Sequence, residues 1–304
     1  MKGIILAAGK GSRLYPITHG ICKTLLPVYN KPMIYYPLST LMLAKIKDIL
    51  IITCEEFIAP FKNLLGDGSR LGISISYKIQ ENPEGIAQAF HIAEEFIGDD
   101  AACLVLGDNL FYGHRLPEIL IDAKERVERT GGSVIFGYNV SHPERYGVAE
   151  IVDNKVVSIA EKPKNPKSNW AVVGLYMYDN SVVDISKKIK PSARGELEIT
   201  TVNQMYMKNK KLEMTTMGRG YTWFDTGNPE DLFSASSFVR MVESRQGLKI
   251  ACIEEIAYYM GYISLEDTAE IARDLSSTEY GKYLRKLVDY ESTRKEGVFE
   301  YDQR

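Results

Sequence analysis

Apolar residues in this chain fall first into short continuous runs. Residues 2–7, 48–53, 73–80 and 101–106 read KGIILA, DILIIT, ISISYKIQ and AACLVL. Between them, residues 33–46, 56–65 and 85–96 return to one face every three or four positions, the spacing of a helix packed on one side. Continuous apolar strands separated by helices predict a parallel sheet buried on both faces. Ligands of such sheets bind beyond the carboxyl ends of the strands, so the polar residues directly after each run carry the functional interest.

The pattern changes after a further run at 133–140. Residues 148–152, 156–160 and 171–178 are strand-like, and Asp153-Asn154 marks a tight turn between the first two; this predicts an antiparallel addition to the sheet. Residues 196–207 and 229–246 are helical, the second with Asn228 as cap and Pro229 in its first turn. From about residue 250 the chain is helix-rich, ending in a charged tail at 291–304 that is expected to be mobile or to contact a partner. The expected fold class is α/β, with a Rossmann-like, mostly parallel central sheet, helices on both faces, an antiparallel addition and a helical C-terminal part. One domain is expected over residues 1–248, its first part running to about 140 and its second over about 141–228, followed by an extension over 249–304. No repeat of solenoid type is present, and none of the hexapeptide repeats of a left-handed β-helix.

Composition narrows the class of protein. At 304 residues and 45% hydrophobic content, the chain can bury a large core. A formal net charge of -3 argues against a dedicated nucleic-acid or membrane-surface protein, which needs a concentrated basic face. No apolar run approaches the roughly 20 residues of a membrane span. The first residues lack the lengths of a signal peptide. Cys22, Cys54, Cys103 and Cys252 are scattered without metal-ligand spacing, which suits reduced thiols and a cytoplasmic location, and the four histidines are equally dispersed.

The candidate chemistry follows the strands. After the first comes Ala8-Gly9-Lys10-Gly11-Ser12-Arg13, in which Gly9 and Gly11 let the backbone N–H groups approach a phosphate and Arg13 adds a fork of donors. Lys23 is a second cation within reach. A tight turn with a solvated arginine would read the same way. The loop is not a P-loop, for no GK[ST] closes it, and Leu14 and Pro16 exclude the dinucleotide fingerprint. Asp108, in LGDN, and Asp225, in YTWFDTG, are carboxylates leaving strands; each alone could be a cap, and together they could share one Mg²⁺. Lys162, in AEKP, could meet a second phosphate or be a surface lysine.

The strings LAAGKGSRLYP, KTLLPVYNKPMIYYPLSTLMLA, LVLGDNLFYGH, ERYGVAE, EKPKNPKSNWAVVGLYMYDN, KPSARGELEITTVN and WFDTG resemble the bacterial and archaeal glucose-1-phosphate thymidylyltransferases of the sugar-phosphate nucleotidyltransferase family. The resemblance is collinear from Met1 to about Leu287. It implies an Mg²⁺-dependent enzyme that joins dTTP to glucose 1-phosphate and releases pyrophosphate, with Arg13, Lys23 and Lys162 as catalytic cations. It assigns Ala8, Gly9, Gly11, Ser12, Arg13, Lys23, Thr24, Gln80, Gly85 and Asp108 to the nucleotide. Asn109, Gly147, Glu161, Lys162, Val172, Tyr176 and Arg194 go to the sugar phosphate, and Asp108 and Asp225 to the metal. It further implies a homotetramer and feedback by a downstream dTDP-sugar at a subunit interface near Gly113-His114 and residues 245–256. The chain departs from the common pattern at Ala8, Lys10, Ser12, Thr24 and Thr201, which bears on the choice between dTTP and UTP. Two other classes read less well. A binding-only sensor would lack a metal carboxylate or the loop arginine, and an oxidoreductase would need GxGxxG.

Overall fold

The computed structural model describes residues 1–153 and 155–293. In chain order, β1 (Lys2–Leu6) runs into the glycine loop, and a short hairpin of β2 (Pro27–Val28) and β3 (Lys31–Pro32) precedes α1 (Tyr35–Leu43). Next come β4 (Asp48–Thr53), α2 (Ile58–Leu65), β5 (Ser74–Ile79), α3 (Gln88–Ile92), α4 (Glu94–Ile97) and β6 (Ala102–Leu106). Then follow β7 (Asn109–Gly113), α5 (Leu116–Thr130), β8 (Ser133–Asn139), β9 (Gly147–Val152), β10 (Lys155–Glu161) and β11 (Trp170–Tyr178). The chain goes on through α6 (Val182–Lys188), α7 (Ile199–Lys208), β12 (Leu212–Met217), β13 (Tyr221–Asp225) and α8 (Pro229–Gln246). It closes with α9 (Ile253–Tyr259), α10 (Leu265–Asp274) and α11 (Glu279–Thr293).

The parallel core is the order β5-β4-β1-β6, and both of its faces are buried as the continuous runs predict. Ile5, Ile49, Ile51, Cys103 and Val105 pack against α1, α2, α5 and α9. Ile4, Leu50, Ile52, Ala102 and Leu104 pack on the other side against α3, α4, α6 and α7.

β11 forks the sheet. Its last residues, Leu175 to Tyr178, pair antiparallel with β6, whereas Trp170 to Val172 pair with β9, which carries β10. β8 lies along the other side of β11, with a register shift between Val172 and Tyr176, and β12 pairs parallel beyond it. A gap therefore opens between β6 and β9 beside Gly174.

Several boundaries differ from the sequence reading for local reasons. The helix expected at 33–46 starts at Tyr35, because the β2–β3 hairpin takes the chain to Pro32 and Met33 and Ile34 form the turn out of it, and it ends at Leu43. That expected at 85–96 starts at Gln88 and is broken into two pieces at Ala93, and that expected at 196–207 starts at Ile199 after an extended Glu198. The α8 helix has the expected bounds, and Asn228 caps it by accepting from the Asp231 N–H at 3.0 Å. Of the expected turn, Asn154 lies outside the described residues. Of the expected tail, residues 291–293 end α11, and the remainder lies outside the described residues. Among the described residues, no helix is long and apolar enough to cross a membrane.

Candidate active site

The glycine loop needs its left-handed residue. Gly11 has φ 62°, and its carbonyl accepts from the Thr18 hydroxyl at 2.7 Å, which folds the loop back on itself. A Cβ at Gly11 would stand 3.2 Å from Cβ of Lys23. The Lys23 side chain is thus brought beneath the loop, where its Nζ donates to Oδ2 of Asp108. Lys23 is almost fully buried, so this charge pair is held out of bulk water. Arg13 remains exposed and reaches across to the turn after β13, where its Nη2 would lie 2.7 Å from a Cβ at Gly227.

Asp108 and Asp225 are brought together by a ladder that the sequence reading did not foresee. β13 pairs antiparallel with β7, which sets Asp225 opposite Asn109. One residue on, Thr226 donates to the Asp108 carbonyl from both its N–H (3.0 Å) and its hydroxyl (2.8 Å). Asn109 fixes the Asp108 carboxylate. Its Nδ2 donates to Asp108 Oδ1 at 2.9 Å, while its Oδ1 accepts from Gly174 N (3.1 Å) and Trp223 Nε1 (2.7 Å). One amide hydrogen of Asn109 has no protein partner among the described residues.

The two carboxyls titrate in opposite directions. Burial works against ionisation of Asp108, but the Lys23 ammonium and the bonds from Lys23 and Asn109 outweigh it and hold the group below the ordinary carboxylate range. At Asp225 burial acts together with the charge of Asp108, and the pKa is pushed up to about 6 despite Lys23 and Arg13. Two facing carboxylates, one strained toward protonation, are a donor set that a hard divalent cation relieves. Among the described residues no group of three or more metal-ligating side chains exists, so such a cation would complete its shell with water and phosphate oxygens.

The opposite wall rises from β9, β10 and β11. Glu161 ends β10 with Oε2 accepting from Thr200 at 2.6 Å and Oε1 from Arg194 at 3.3 Å. Arg194 in turn forks onto Glu198, both contacts from Nη2 being 2.9 Å, so it braces Glu161 from behind. Lys162 sits at φ 41°, a conformation that turns the chain out of the strand, and its N–H is held by the Tyr146 carbonyl at 3.0 Å.

These parts enclose one cleft of about 510 Å³ at the carboxyl edge of the parallel strands. Gly9, Gly11, Ser12, Arg13, Lys23, Thr24, Asp108, Asn109, Gly147, Glu161, Lys162, Val172, Tyr176 and Asp225 all line it. Ala8, Gln80, Gly85 and Arg194 do not. Ala8 is buried with its carbonyl accepting the Cys54 thiol at 3.3 Å, and Ala7 lines the cleft in its place. Gln80 is buried, and Gly85 is pressed against Leu197, whose N and O would each be 2.6 Å from a Cβ. Arg145, Tyr146, Thr200 and Trp223 also line the cleft and were not singled out from the sequence. The string ERYG before a strand was the one available signal for the first two.

A second cavity, of about 460 Å³, lies between the end of β7 and the end of α8. It joins Gly113 and His114 to Gln246, Lys249, Glu255 and Ile256.

An α/β sheet whose strand ends carry a phosphate-type glycine loop, the buried Lys23, the exposed Arg13 and Lys162 and a carboxylate pair suits a nucleotide-handling transferase. Residues 2–241 match the family described as Nucleotidyl transferase. The chain is 56% identical to a glucose-1-phosphate thymidylyltransferase of Neisseria meningitidis over 289 residues, covering 95% of this chain and 99% of that one. It is 51% identical to that of Mycobacterium tuberculosis over 290 residues, covering 95% and 99%. Among solved structures, a Bacillus anthracis chain described as a glucose-1-phosphate thymidylyltransferase, in complex with a sucrose, superposes with a TM-score of 0.73 at 43% identity, over 79% of this chain and 95% of that one. A UDP-glucose pyrophosphorylase complexed with UDP-glucose gives 0.70 at 25% identity, over 79% and 98%. The chain belongs to the nucleotidyl transferase family and, within it, to the glucose-1-phosphate thymidylyltransferases.

Proposed function

We propose that this enzyme uses dTTP and α-D-glucose 1-phosphate to make dTDP-glucose and pyrophosphate, by in-line attack of the sugar phosphate on the α-phosphorus. The observation that carries the reading is the single cleft in which the Lys23–Asp108 pair and Asp225 stand between the glycine loop and the Glu161–Lys162 edge. Backbone N–H groups of the loop and Arg13 hold the triphosphate. Lys23 sits where charge on the α-phosphate must be neutralised, and Lys162 holds the attacking phosphate. That phosphate oxygen is already ionised near neutral pH and needs no general base, so the chemistry is positioning and electrostatics. Asp108 and Asp225 would hold Mg²⁺, whose contribution is to neutralise phosphate charge. Glu161, braced by Thr200 and Arg194, accepts from sugar hydroxyls, and Gly147, Val172 and Tyr176 complete that subsite. Asn109 offers its remaining amide hydrogen there.

On the same reading the product feeds dTDP-deoxysugar synthesis, such as dTDP-rhamnose, in the cytoplasm. The free state of the four cysteines, all among the described residues, agrees with that location. The nucleotide subsite belongs to about 1–140 and the sugar subsite to about 141–228 of a domain over 1–248, with 249–304 as the helical extension. The enzyme works as a homotetramer, and the second cavity is where a dTDP-sugar would regulate it; the meeting there of Gly113, His114 and the 246–256 segment supports this.

The test is pyrophosphate release from purified protein with Mg²⁺ and glucose 1-phosphate, run in parallel with dTTP, UTP, CTP, ATP and GTP. Release foremost with dTTP is expected. Preference for UTP would make it a uridylyltransferase, and silence with every nucleotide while dTTP binds would leave another sugar phosphate or a sensor.

A further inference from the structure

We propose that Gln88 is a positioning residue that fixes which way round the Gln80 amide stands, so that the base subsite selects pyrimidines with a hydrogen on N3. This rests on the dTTP reading and deepens it. Gln80 directly follows β5 at the carboxyl edge of the sheet. Its N–H donates to the Thr53 carbonyl at 2.9 Å, and the Thr53 hydroxyl donates to the Ala7 carbonyl at 3.3 Å, beside the glycine loop. Gln80 thus stands two strands from the end of β1, about 10 Å across the sheet. That offset suits the base of a nucleotide whose phosphates lie on the loop.

The heavy atoms of a side-chain amide fit either way round, and only its partners decide between them. Here the partners decide. The Glu84 backbone N–H can only donate, and it reaches Gln88 at 3.0 Å. The Glu84 carboxylate is an acceptor, and it lies 3.2 Å from the other end of the same amide. Gln88 therefore turns Oε1 toward the Glu84 N–H and Nε2 toward the carboxylate. That same Oε1 lies 2.5 Å from the Gln80 amide, so the Gln80 atom there must be the donor, Nε2.

Gln80 Oε1 is left over, with no hydrogen-bond donor among the described residues. Reversing Gln80 would set two amide oxygens face to face at a residue only 4% exposed. The clamp itself is held from outside. Leu197 N donates to the Glu84 carbonyl at 2.5 Å, Ala87 N to the Leu197 carbonyl at 3.1 Å, and Gly85 at φ 118° leaves no room for a side chain.

An acceptor fixed at this place is a filter. Thymine and uracil carry a donor at N3, whereas N3 of cytosine is itself an acceptor and meets Gln80 Oε1 with like polarity. A subsite built on hydrogen-bond polarity discriminates far more strongly than an apolar pocket does.

The experiment compares wild-type, Gln88→Met and Gln88→Glu for kcat/KM with dTTP, dCTP and N3-methyl-dTTP, at saturating glucose 1-phosphate and Mg²⁺. Wild type is expected to prefer dTTP over dCTP by at least about 10³-fold and to reject the N3-methyl compound. Gln88→Met is expected to cut the dTTP-to-dCTP ratio at least tenfold through KM, with kcat for dTTP within about threefold of wild type. Gln88→Glu, made together with Glu84→Gln so that no two carboxylates face each other, still accepts from Gln80 Nε2 and keeps the ratio. An unchanged ratio in Gln88→Met overturns the proposal, as does wild-type turnover of dCTP or N3-methyl-dTTP within tenfold of dTTP. Should Gln88→Met fail to fold, Gln88→Glu and the methylated nucleotide decide: loss of the ratio in the first, or turnover in the second, overturns it. A wild-type preference for a purine triphosphate would instead overturn the dTTP reading on which the proposal stands.

Discussion

Gly174→Ala tests whether the fork in the sheet holds the Asp108 carboxylate in place. Gly174 sits in β11 between the residues that pair with β9 and those that pair with β6. A Cβ there would lie 2.7 Å from Asn109 Oδ1, 2.7 Å from Leu106 Cδ1 and 2.8 Å from Asn109 Cγ. Ordinary contact begins at 3.4 Å, so Asn109 or the strand must give by several tenths of an ångström. Leu106 is half-buried beside the cleft and closes the easiest direction of retreat.

The stability cost has two parts. Overpacking costs about 1–3 kcal/mol, and the strained Gly174 N–H to Asn109 bond about 1 kcal/mol. The sum of about 2–4 kcal/mol lowers Tm by several degrees in a chain of this size. The functional cost is separate. Asn109 also holds Asp108 Oδ1 and accepts from Trp223, so a shift in Asn109 re-aims the carboxylate. A 1 Å misplacement can cost about 10²-fold, so kcat should fall by at least about tenfold. Differential scanning fluorimetry and pyrophosphate release measure the two effects. A double mutant with Asn109→Ala, which removes both obstructing Asn109 atoms, should cost less than the sum of the singles. Wild-type kcat in Gly174→Ala, or strict additivity in the double mutant, would refute the reasoning.

Further expectations concern the charges. Asp108→Asn should cut kcat by on the order of 10²-fold or more, as one lost electrostatic term at the transition state, and near-normal turnover at saturating Mg²⁺ would remove Asp108 from the site. Asp225 has its pKa raised to about 6, so between its unfolded value and that point the folded protein binds more protons than the unfolded one. Without metal, Tm should therefore fall as pH rises from 5 to 7.5, and Mg²⁺ should raise Tm more at pH 7.5 than at pH 5; equal metal shifts at both would count against Asp225 as a ligand. Lys31 and Glu243 form a buried pair at 2.7 Å, in which burial lowers the Lys31 pKa. Lys31→Met leaves the carboxylate with Lys249 at 3.4 Å and Asn30 at 2.7 Å and should cost up to about 3–5 kcal/mol, while kcat at low temperature stays near wild type; an unchanged Tm or urea midpoint would contradict that.

The parallel strands were legible because burial on both faces writes itself as continuous apolar sequence, as in Ile49 to Ile52. The glycine loop and Asp108 were legible as polar groups placed directly after such strands, and Asp225 as a carboxylate at the end of another strand-like run. The ladder that brings the two carboxylates together was not. It depends on β7 pairing with β13, and NLFYG has neither the length nor the alternation that marks a strand by itself. Long-range pairing of this kind leaves no periodic trace. Gln88 and Thr200 were missed because each sits at or near the start of a helix and nothing local marks its partner, which lies eight residues back for Gln88 and 39 back for Thr200. Arg145 and Trp223 stood inside recognised strings, but nothing local says that they face a cleft. The helix α5 was a different omission, for Leu116, Leu120, Ala123 and Val127 keep helical spacing and could have been read.

The fork at β11 also bears on how this catalyst could be rebuilt. Among the described residues, the hairpin of β9 and β10, which carries Gly147 and Glu161, pairs with the remaining sheet only through Trp170, Ala171 and Val172. The strands that bear the glycine loop and Asp108 never pair with it. The hairpin is thus a cassette joined to the sheet by three ladder residues and braced on α7, where Gln204 donates to the Ile159 carbonyl at 2.8 Å. Grafting a hairpin from a relative with another sugar preference, together with the Arg194–Thr200 brace, should exchange the acceptor while leaving the donor nucleotide unchanged.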